Sequence, residues 1–266
     1  MKKILNSLAK KINNYNALSD IIKINSSKFN IQIKNIDELG SMDLNEIYNL
    51  FNYQFEYILP ELFKIHRIYF TSENRGFGEK AFHSMWFNIF RQYQPRQVLE
   101  IGVYRGQTLS LFNLLQRHFF IDGNVYGITP LSTSGDEYSD YNKLDYEKDI
   151  INNFKIFQLS NPKLKKGYSN DKEMIDFINS QKWDLIYVDG SHDYDIVKSD
   201  INVSIANLNK GGILVLDDAS LYLNLNKSDG MFKGHPGPSL VADELVLSDL
   251  VTNICNVGHN RIFIKN

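Results

Sequence analysis

Carboxylate side chains that directly follow apolar runs are the groups of this sequence best suited to chemistry. Asp189 follows the run 183–188, and Asp217 and Asp218 follow the run 213–216. Adjacent carboxylates repel each other, so a cation or hydrogen-bond donors must compensate their charge. Three carboxylates that come together suit a hard divalent ion such as Mg²⁺ or Mn²⁺. The alternative is structural: Asp189 caps a helix, Asp217 accepts backbone N–H groups and Asp218 is solvated.

His192 lies three residues after Asp189, near the predicted start of a helix. An imidazole with an ordinary pKa of about 6.5 accepts a proton near neutral pH. A hydroxyl beside a divalent ion has a lowered pKa, so an imidazole there can act as its general base. The alternative is a surface histidine at the start of a helix.

A third apolar run, 97–101, leads into a turn that contains Gly102 and Gly106. The run is typical of a central parallel strand, which is covered on both faces. The glycines allow a tight turn that brings a small ligand close to main-chain N–H groups. Thr108 follows where a helix N-terminus presents unpaired donors. The alternative is an ordinary loop between a strand and a helix.

Elements of two kinds alternate along the chain after residue 76 and must position these groups. The predicted strands are 97–101, 125–129, 163–166, 183–188, 213–216, 251–257 and 261–265, and the predicted helices are 80–93, 108–118, 146–158, 171–180, 196–208 and 242–250. Alternation of this kind predicts a parallel sheet with right-handed crossovers. The last two strands are joined by a very short turn and must form an antiparallel hairpin.

The predicted fold class is therefore α/β, with a Rossmann-like, seven-stranded, mostly parallel sheet and a C-terminal antiparallel hairpin. Ligands bind beyond the carboxyl ends of the strands in such a sheet. Glu100 with Gly102, Asp189 with His192, and the pair at Asp217 all arrive at that edge.

Residues 1–75 are predicted to form a helical N-terminal extension, and residues 76–266 the main domain. Leu5, Leu8 and Ile12 form the apolar stripe of a modest first helix. The segment 43–70 is helical in pattern and rich in aromatic residues. These aromatics suit a lid over an active site or an oligomerisation surface, and packing on the main domain is the alternative.

Composition excludes several classes of function. The 266 residues carry a net charge of −2, which is no signature of a nucleic-acid-binding protein. The single cysteine fits a reducing cytoplasm. No window approaches the apolar length of a membrane span, and the apolar part of the N-terminus is too short for a signal peptide. We expect a cytoplasmic protein without stable membrane insertion.

Three motifs in the expected order resemble the class I S-adenosylmethionine (SAM)-dependent methyltransferases. Val98-Leu-Glu-Ile-Gly-Val-Tyr-Arg-Gly-Gln-Thr108 resembles their first motif. Asp184-Leu-Ile-Tyr-Val-Asp-Gly-Ser-His-Asp-Tyr194 and Gly211-Gly-Ile-Leu-Val-Leu-Asp-Asp218 are similar to later signatures of one branch. That branch contains macrolide-sugar O-methyltransferases and cephalosporin hydroxylase-like proteins. The resemblance covers residues 76–266.

The resemblance implies a SAM site at the glycine turn. Gly102 and Gly106 would flank the methionine part of the cofactor, Glu100 would hold the turn, and Ser169 would lie by the adenine. The full set of predicted cofactor-binding residues is Glu100, Gly102, Tyr104, Gly106, Thr108, Thr129, Ser169 and Asp189.

The resemblance also implies a Mg²⁺ or Mn²⁺ ion on Asp189, Asp217 and Asp218, with His192 as the catalytic base. The acceptor would be a hydroxyl group of a sugar or a glycosylated small molecule. Independently of the resemblance, Lys233 and His235 of the loop 230–238 are candidates to contact this acceptor, and an ordinary flexible surface loop is the alternative. The expected partners are a small-molecule or glycan acceptor and further copies of the chain in a homo-oligomer, without nucleic acid.

One departure from the family pattern concerns the ribose of the cofactor. The second strand normally ends in an acidic residue, whereas Thr129-Pro130 stands here. Thr129 can still hydrogen-bond the ribose, or Asp136 or Glu137 can reach it from the following loop.

Three other functions compete with a metal-assisted methyltransferase. A nicotinamide-dependent oxidoreductase would need Gly-x-Gly-x-x-Gly and an acidic residue after the second strand, which this sequence lacks. A metal-independent methyltransferase would use His192 alone. A non-catalytic assembly protein would retain only the fold.

Overall fold

The computed structural model describes residues 35–132, 144–225 and 232–266, and a seven-stranded sheet lies at the centre of this part of the chain. The strands are β1 (Gln97–Ile101), β2 (Asn124–Thr129), β3 (Lys163–Lys166), β4 (Trp183–Val188), β5 (Leu208–Leu216), β6 (Val251–Val257) and β7 (Asn260–Lys265). Their order in the sheet is β3-β2-β1-β4-β5-β7-β6. The first five strands are parallel, and β7 runs antiparallel to both β5 and β6. The predicted fold class is confirmed.

Eight α-helices flank the sheet in the described residues. They are α1 (Leu44–Tyr57), α2 (Glu61–Thr71), α3 (Lys80–Tyr93), α4 (Gln107–His118), α5 (Tyr146–Ile156), α6 (Lys172–Asn179), α7 (Tyr194–Asn207) and α8 (Pro236–Val246). One face of the sheet is covered by apolar residues of α6, α7 and α8, among them Ile178, Ile201 and Val241. On the other face, Trp86 of α3 and Phe112 of α4 pack edge-on against Tyr187 of β4.

Aspartate side chains begin several helices, since their oxygens satisfy N–H groups that have no partner within the helix. Asp193 accepts hydrogen bonds from the backbone N–H groups of Asp195 and Ile196, at 3.0 and 3.2 Å, and thereby starts α7. The residue before this cap is His192. The cap therefore fixes where the chain leaves the loop after β4, and with it the backbone position of His192.

Two boundaries differ from the sequence prediction. The helix expected to continue to residue 208 ends at Asn207, and Leu208 already pairs with Trp183 at the start of β5. The helix expected at 242–250 begins six residues earlier, at Pro236. Proline fits the first turn of a helix because the missing N–H would be unpaired there. A proline-rich stretch that was predicted as loop is thus the first turn of α8.

Residues 35–75 pack on the rest of the described chain, and Asn35–Asn266 form one compact unit. Phe51 and Phe55 of α1 are buried, whereas Ile65 and Ile68 of α2 are at least half exposed. A division of function at residue 75 and the homo-oligomer remain predictions.

A pair of buried histidines connects α2 and α3 to α4, the helix that follows the predicted glycine turn. His66 Nδ1 of α2 lies 3.0 Å from His83 Nε2 of α3, and His66 Nε2 lies 2.9 Å from Ser110 Oγ of α4. Burial is the main cause that lowers the pKa of both imidazoles, that of His83 to about 3. The pair is neutral and holds three helices together.

Some predictions fall outside the described residues: the first helix with Leu5, Leu8 and Ile12, and the ribose contacts at Asp136 and Glu137. None of the helices in the described part of the chain is both long and apolar enough to cross a membrane.

Candidate active site

The strands β1, β4 and β5 end at one level of the sheet. Ile101 pairs with Val188, and Val188 pairs with Leu216. Backbone hydrogen bonds continue this register beyond the strands: the N–H of the residue after β4 donates to Ile101 O at 2.8 Å, and that of the residue after β5 donates to Val188 O at 3.0 Å. The residues that follow the three strands are the predicted site residues Gly102, Asp189 and Asp217.

Gly102 allows the first two of these loops to touch. Its φ is +104°, and a Cβ atom built there would lie 1.9 Å from Asp189 O. A side chain would therefore collide with backbone and force the two loops apart. Gly106, also at positive φ (+79°), is the cap residue before α4. The predicted glycine turn thus lies directly beside the first carboxylate.

Glu100 lies under the turn with its carboxyl group buried. Burial raises the pKa of Glu100 well above its ordinary value, Asp217 adds to the effect, and a hydrogen bond from the Leu109 N–H opposes it. That bond ties β1 to the first turn of α4. Glu100 Oε2 has no hydrogen-bond partner among the described residues.

Tyr104 and Thr108 line the turn and are half-buried. The Tyr104 ring stacks on Phe77, with 5.4 Å between ring centroids and 26° between the planes. The Phe77 side chain is largely exposed. These residues leave a half-exposed surface beside Gly102.

The two residues predicted for the ribose and the adenine are engaged within the protein. Thr129 is buried, and its Oγ1 accepts a hydrogen bond from the Leu131 N–H at 3.1 Å. Ser169 Oγ donates to Asp200 at 2.9 Å. Burial raises the pKa of Asp200 to about 6, against the opposing effect of this hydrogen bond. A cofactor contact by either hydroxyl stays a prediction.

The carboxyl groups of Asp189 and Asp217 form a hydrogen-bonded pair. Burial, followed by the charges of Asp217 and Asp218, raises the pKa of Asp189 well above its ordinary value. The pKa of Asp217 is also raised, first by burial and then by Asp218, while hydrogen bonds from Asp189 and Tyr187 oppose the shift. A proton shared by this pair relieves the repulsion between them.

Three imidazoles surround the next carboxylate, that of Asp218. His192 Nε2 lies 3.0 Å and His235 Nε2 lies 3.8 Å from Asp218 Oδ2. The rings of these two histidines stack, with 3.8 Å between their centroids. On the opposite side, His259 Nδ1 lies 3.1 Å from Asp218 Oδ1, and its Nε2 lies 3.8 Å from Asp217 Oδ1.

His235 reaches Asp218 because the loop before α8 crosses close to the end of β5. The φ of Gly234 is +110°, and a Cβ atom there would lie 2.0 Å from Asp218 O. The His235 N–H donates to that same oxygen at 2.9 Å. Lys233, the other predicted acceptor contact, donates from Nζ to Leu223 O at 3.2 Å.

His259 was not predicted as a site residue. Leu216 pairs with Arg261 in the antiparallel β5–β7 ladder, so two further residues of the same register bring Asp218 opposite His259. The Ala219 N–H donates to His259 O at 2.8 Å and fixes this arrangement. The available signal was the short turn of the C-terminal hairpin, which must return to the carboxyl end of the strand that β7 accompanies.

Within the described part of the chain, two groups of side chains have ligand atoms within 4.8 Å of one another, the spacing of a metal site. One comprises His192, Asp218 and His235, and the other Asp217, Asp218 and His259. Asp189, the third predicted metal ligand, belongs to neither group and instead hydrogen-bonds Asp217. Its role as a ligand stays a prediction.

Comparisons with known sequences connect this geometry to a family. Residues 99–219 match the family model described as a methyltransferase domain. The chain is also similar to the uncharacterized protein R132 of Acanthamoeba polyphaga mimivirus, with 32% identity over 126 residues, which are 47% of this chain and 52% of that protein. It therefore spans about half the length of this curated relative.

Solved structures show the same fold. The chain is similar to an O-methyltransferase from Bacillus cereus in complex with SAH, with a TM-score of 0.57, 12% identity, and coverage of 84% of this chain and 100% of the other. It is likewise similar to the O-methyltransferase TomG from Streptomyces achromogenes, involved in tomaymycin synthesis and solved with SAM. There the TM-score is 0.55, the identity 13%, and the coverage 85% and 99%.

Proposed function

We propose that the chain is a SAM-dependent O-methyltransferase assisted by a divalent metal ion. The match of residues 99–219 to a methyltransferase-domain model and the fold shared with O-methyltransferases support this proposal. The observation that carries this proposal is the meeting of three loops at one sheet edge. The glycine turn, the loop with Asp189 and His192, and the Asp217–Asp218 pair lie at one level. A methyl donor and an ionisable acceptor must bind side by side, and these neighbouring loops could hold one each.

The glycine turn suits the cofactor. At Gly102, a Cα without a side chain stands between the loops after β1 and β4, with Tyr104 and Thr108 half-buried beside it. Glu100 supports the turn from below through the Leu109 N–H. When bound, SAM supplies a methyl group on a positively charged sulfur. The protein's part is to hold the acceptor oxygen in line with that methyl group.

The carboxylates suit a divalent cation, and Mg²⁺ or Mn²⁺ is proposed. Asp217 Oδ1 is buried and has no hydrogen-bond partner among the described residues. The raised pKa values of Asp189 and Asp217 reflect burial of negative charge, which a cation would compensate. The ion would lower the pKa of an acceptor hydroxyl and orient it.

His192 is proposed as the general base. A proton on its Nε2 would be directed at Asp218 Oδ2, 3.0 Å away, which places the proton-accepting lone pair on Nδ1. Asp218 would thereby fix the tautomer and the orientation of the ring. His192 would take the proton of the acceptor hydroxyl, while bound SAM would supply the methyl group to the acceptor oxygen and retain the sulfur as the leaving group.

The proposed acceptor is a hydroxyl of a sugar or of a glycosylated small molecule. His192 is substantially exposed, so an acceptor can approach it from solvent. The half-exposed ring of Phe232 stands edge-on to both His235 and His259 and offers an apolar surface to one face of a sugar ring. A cytoplasmic location and a homo-oligomer remain predictions beside this proposal.

The test is transfer of an isotopically labelled methyl group from SAM to a panel of free sugars, glycosides and non-sugar phenols. We expect transfer to a sugar hydroxyl, abolished by EDTA and restored by Mg²⁺ or Mn²⁺. Full activity in EDTA would reject the metal and favour His192 acting alone. Transfer only to phenols would reject the sugar class, and absence of both SAM binding and transfer would favour a non-catalytic assembly protein.

A further inference from the structure

His259 lies in the β6–β7 turn with a nearly enclosed side chain, of which 12% is exposed. Its ring stacks on Phe82, with 4.6 Å between centroids and 27° between the planes, and Phe232 meets it edge-on. The backbone bond from the Ala219 N–H to His259 O holds the turn against the end of β5. The imidazole is therefore held in one place, facing Asp217 and Asp218.

Two buried polar atoms at this place have no hydrogen-bond partner among the described residues: His259 Nδ1 and Asp217 Oδ1. Buried polar atoms normally have one, and exceptions call for an explanation such as an ion. His259 Nδ1 lies 3.1 Å from Asp218 Oδ1, but without hydrogen-bond geometry. Neighbouring ligands on an octahedral ion with bonds of about 2.1 Å lie about 3.0 Å apart. The spacing is that of two ligands on one ion.

We propose that His259 contributes an imidazole nitrogen to the divalent-metal site formed with Asp217 and Asp218, so that the site prefers Mn²⁺ or another first-row transition ion to Mg²⁺. Imidazole ligands favour such ions, whereas Mg²⁺ favours sites made of oxygen alone. The inference rests on the proposed function, in which a metal ion acts at these carboxylates.

The two oxygens of Asp218 then serve two different neighbours. Oδ1 faces His259 and the metal site, and Oδ2 faces His192 at 3.0 Å. The carboxylate would fix the base with one oxygen while it binds the ion with the other. This arrangement would keep His192 close to the ion.

The first experiment measures Mn²⁺ and Mg²⁺ affinity of the full-length protein by electron paramagnetic resonance, with Mg²⁺ as a competitor. For His259→Gln we expect a loss of Mn²⁺ affinity of about tenfold or more and a much smaller change for Mg²⁺. His118→Gln is the matched control, because His118 is an exposed histidine at the C-terminal end of α4 and belongs to neither group of possible metal ligands. This variant should bind both ions like the wild type. Equal losses for both ions, or no loss, would overturn the proposed selectivity.

A second measurement needs no variant. Electron spin-echo modulation of Mn²⁺ bound to the wild-type protein should show coupling to a ¹⁴N nucleus, and this coupling should disappear in His259→Gln. Coupling that persists unchanged in the variant would assign the nitrogen to another histidine and overturn the proposal, as would its absence from the wild type.

The two proposals fail separately. If EDTA abolishes methyl transfer but bound Mn²⁺ shows no nitrogen coupling, the metal-assisted function stands and His259 is only a neighbour of the site. If nitrogen coupling from His259 is present and transfer continues in EDTA, the site exists and its role in catalysis is wrong.

Discussion

Two groups of histidines lie in this protein, and their surroundings differ in almost every respect. His66 and His83 are fully buried between helices, and both ring nitrogens of His66 have a partner within hydrogen-bond distance. His192, His235 and His259 stand instead around the carboxylate of Asp218, at the edge of the sheet, with side chains between 12% and 43% exposed.

The difference teaches that environment, and not residue type, separates structural from chemical imidazoles. In the buried pair, desolvation lowers both pKa values, and that of His83 falls to about 3. These rings stay neutral across the physiological range and cannot exchange protons with a substrate. The group at Asp218 combines access from solvent with carboxylate partners, which suits proton transfer and metal binding.

The largest difference between the two groups of histidines is expected in their effect on catalysis. His192→Ala should lower kcat by about 10²–10⁴-fold, the usual contribution of a general base, while SAM affinity stays nearly unchanged. Steady-state kinetics with calorimetric SAM titration measures both quantities. Turnover equal to that of the wild type would remove His192 from the mechanism, and His118→Ala serves as the control.

The buried pair should instead matter more for the stability of the fold. His66→Ala removes a buried ring and its contacts with His83 Nε2 and Ser110 Oγ, which should cost about 2–4 kcal/mol of unfolding free energy. For a chain of this size the Tm should fall by about 4–16 °C. His192→Ala should change the Tm by far less. Equal Tm losses in the two variants, measured by thermal denaturation, would abolish the distinction drawn between the two groups.

The third prediction concerns the pH dependence of stability, which is expected to be small per pH unit. The folded-state pKa values of His66 and His83 lie below the ordinary value of 6.5, so the unfolded chain binds more protons in acid. Their contribution to stability is complete above pH 6.5 and is lost as the pH falls below it. The slope is at most about 1.4 kcal/mol per pH unit for each histidine.

The control for this slope is a variant with both histidines replaced, His66→Phe with His83→Leu, compared with the wild type by urea denaturation between pH 5 and pH 8. The comparison is needed because Asp200, whose folded-state pKa is raised to about 6, contributes with the opposite sign between about pH 4 and pH 6. If the wild type and the variant show the same slope, the buried pair is not neutral in the folded state.

The sequence was sufficient for the sheet and for the three strand ends of the site. Parallel strands separated by helices place their carboxyl ends at one edge, so Gly102, Asp189 and Asp217 were expected there. Contacts that depend on tertiary packing could not be predicted from the sequence. His66 and His83 lie 17 residues apart on different helices, and nothing in either helix alone indicates that their rings meet.

In the C-terminal part of the chain, too, the sequence did not predict which histidines lie near Asp218. The hairpin was predicted from its short turn, but the position of His259 opposite Asp218 follows only from the register of β7 on β5. His235 was assigned to a loop because its neighbours are Gly and Pro, and those residues begin α8 instead. Both histidines are held near Asp218 by backbone hydrogen bonds to the end of β5 and the residue after it, and these bonds depend on the tertiary structure.

The most direct test of the account is a calorimetric titration of SAM into the purified full-length protein. We predict saturable binding at one site per chain, with the glycine turn at Gly102 as the proposed cofactor site. Absence of binding, with no rise in Tm when SAM is added, would contradict the central claim that this protein is a methyltransferase.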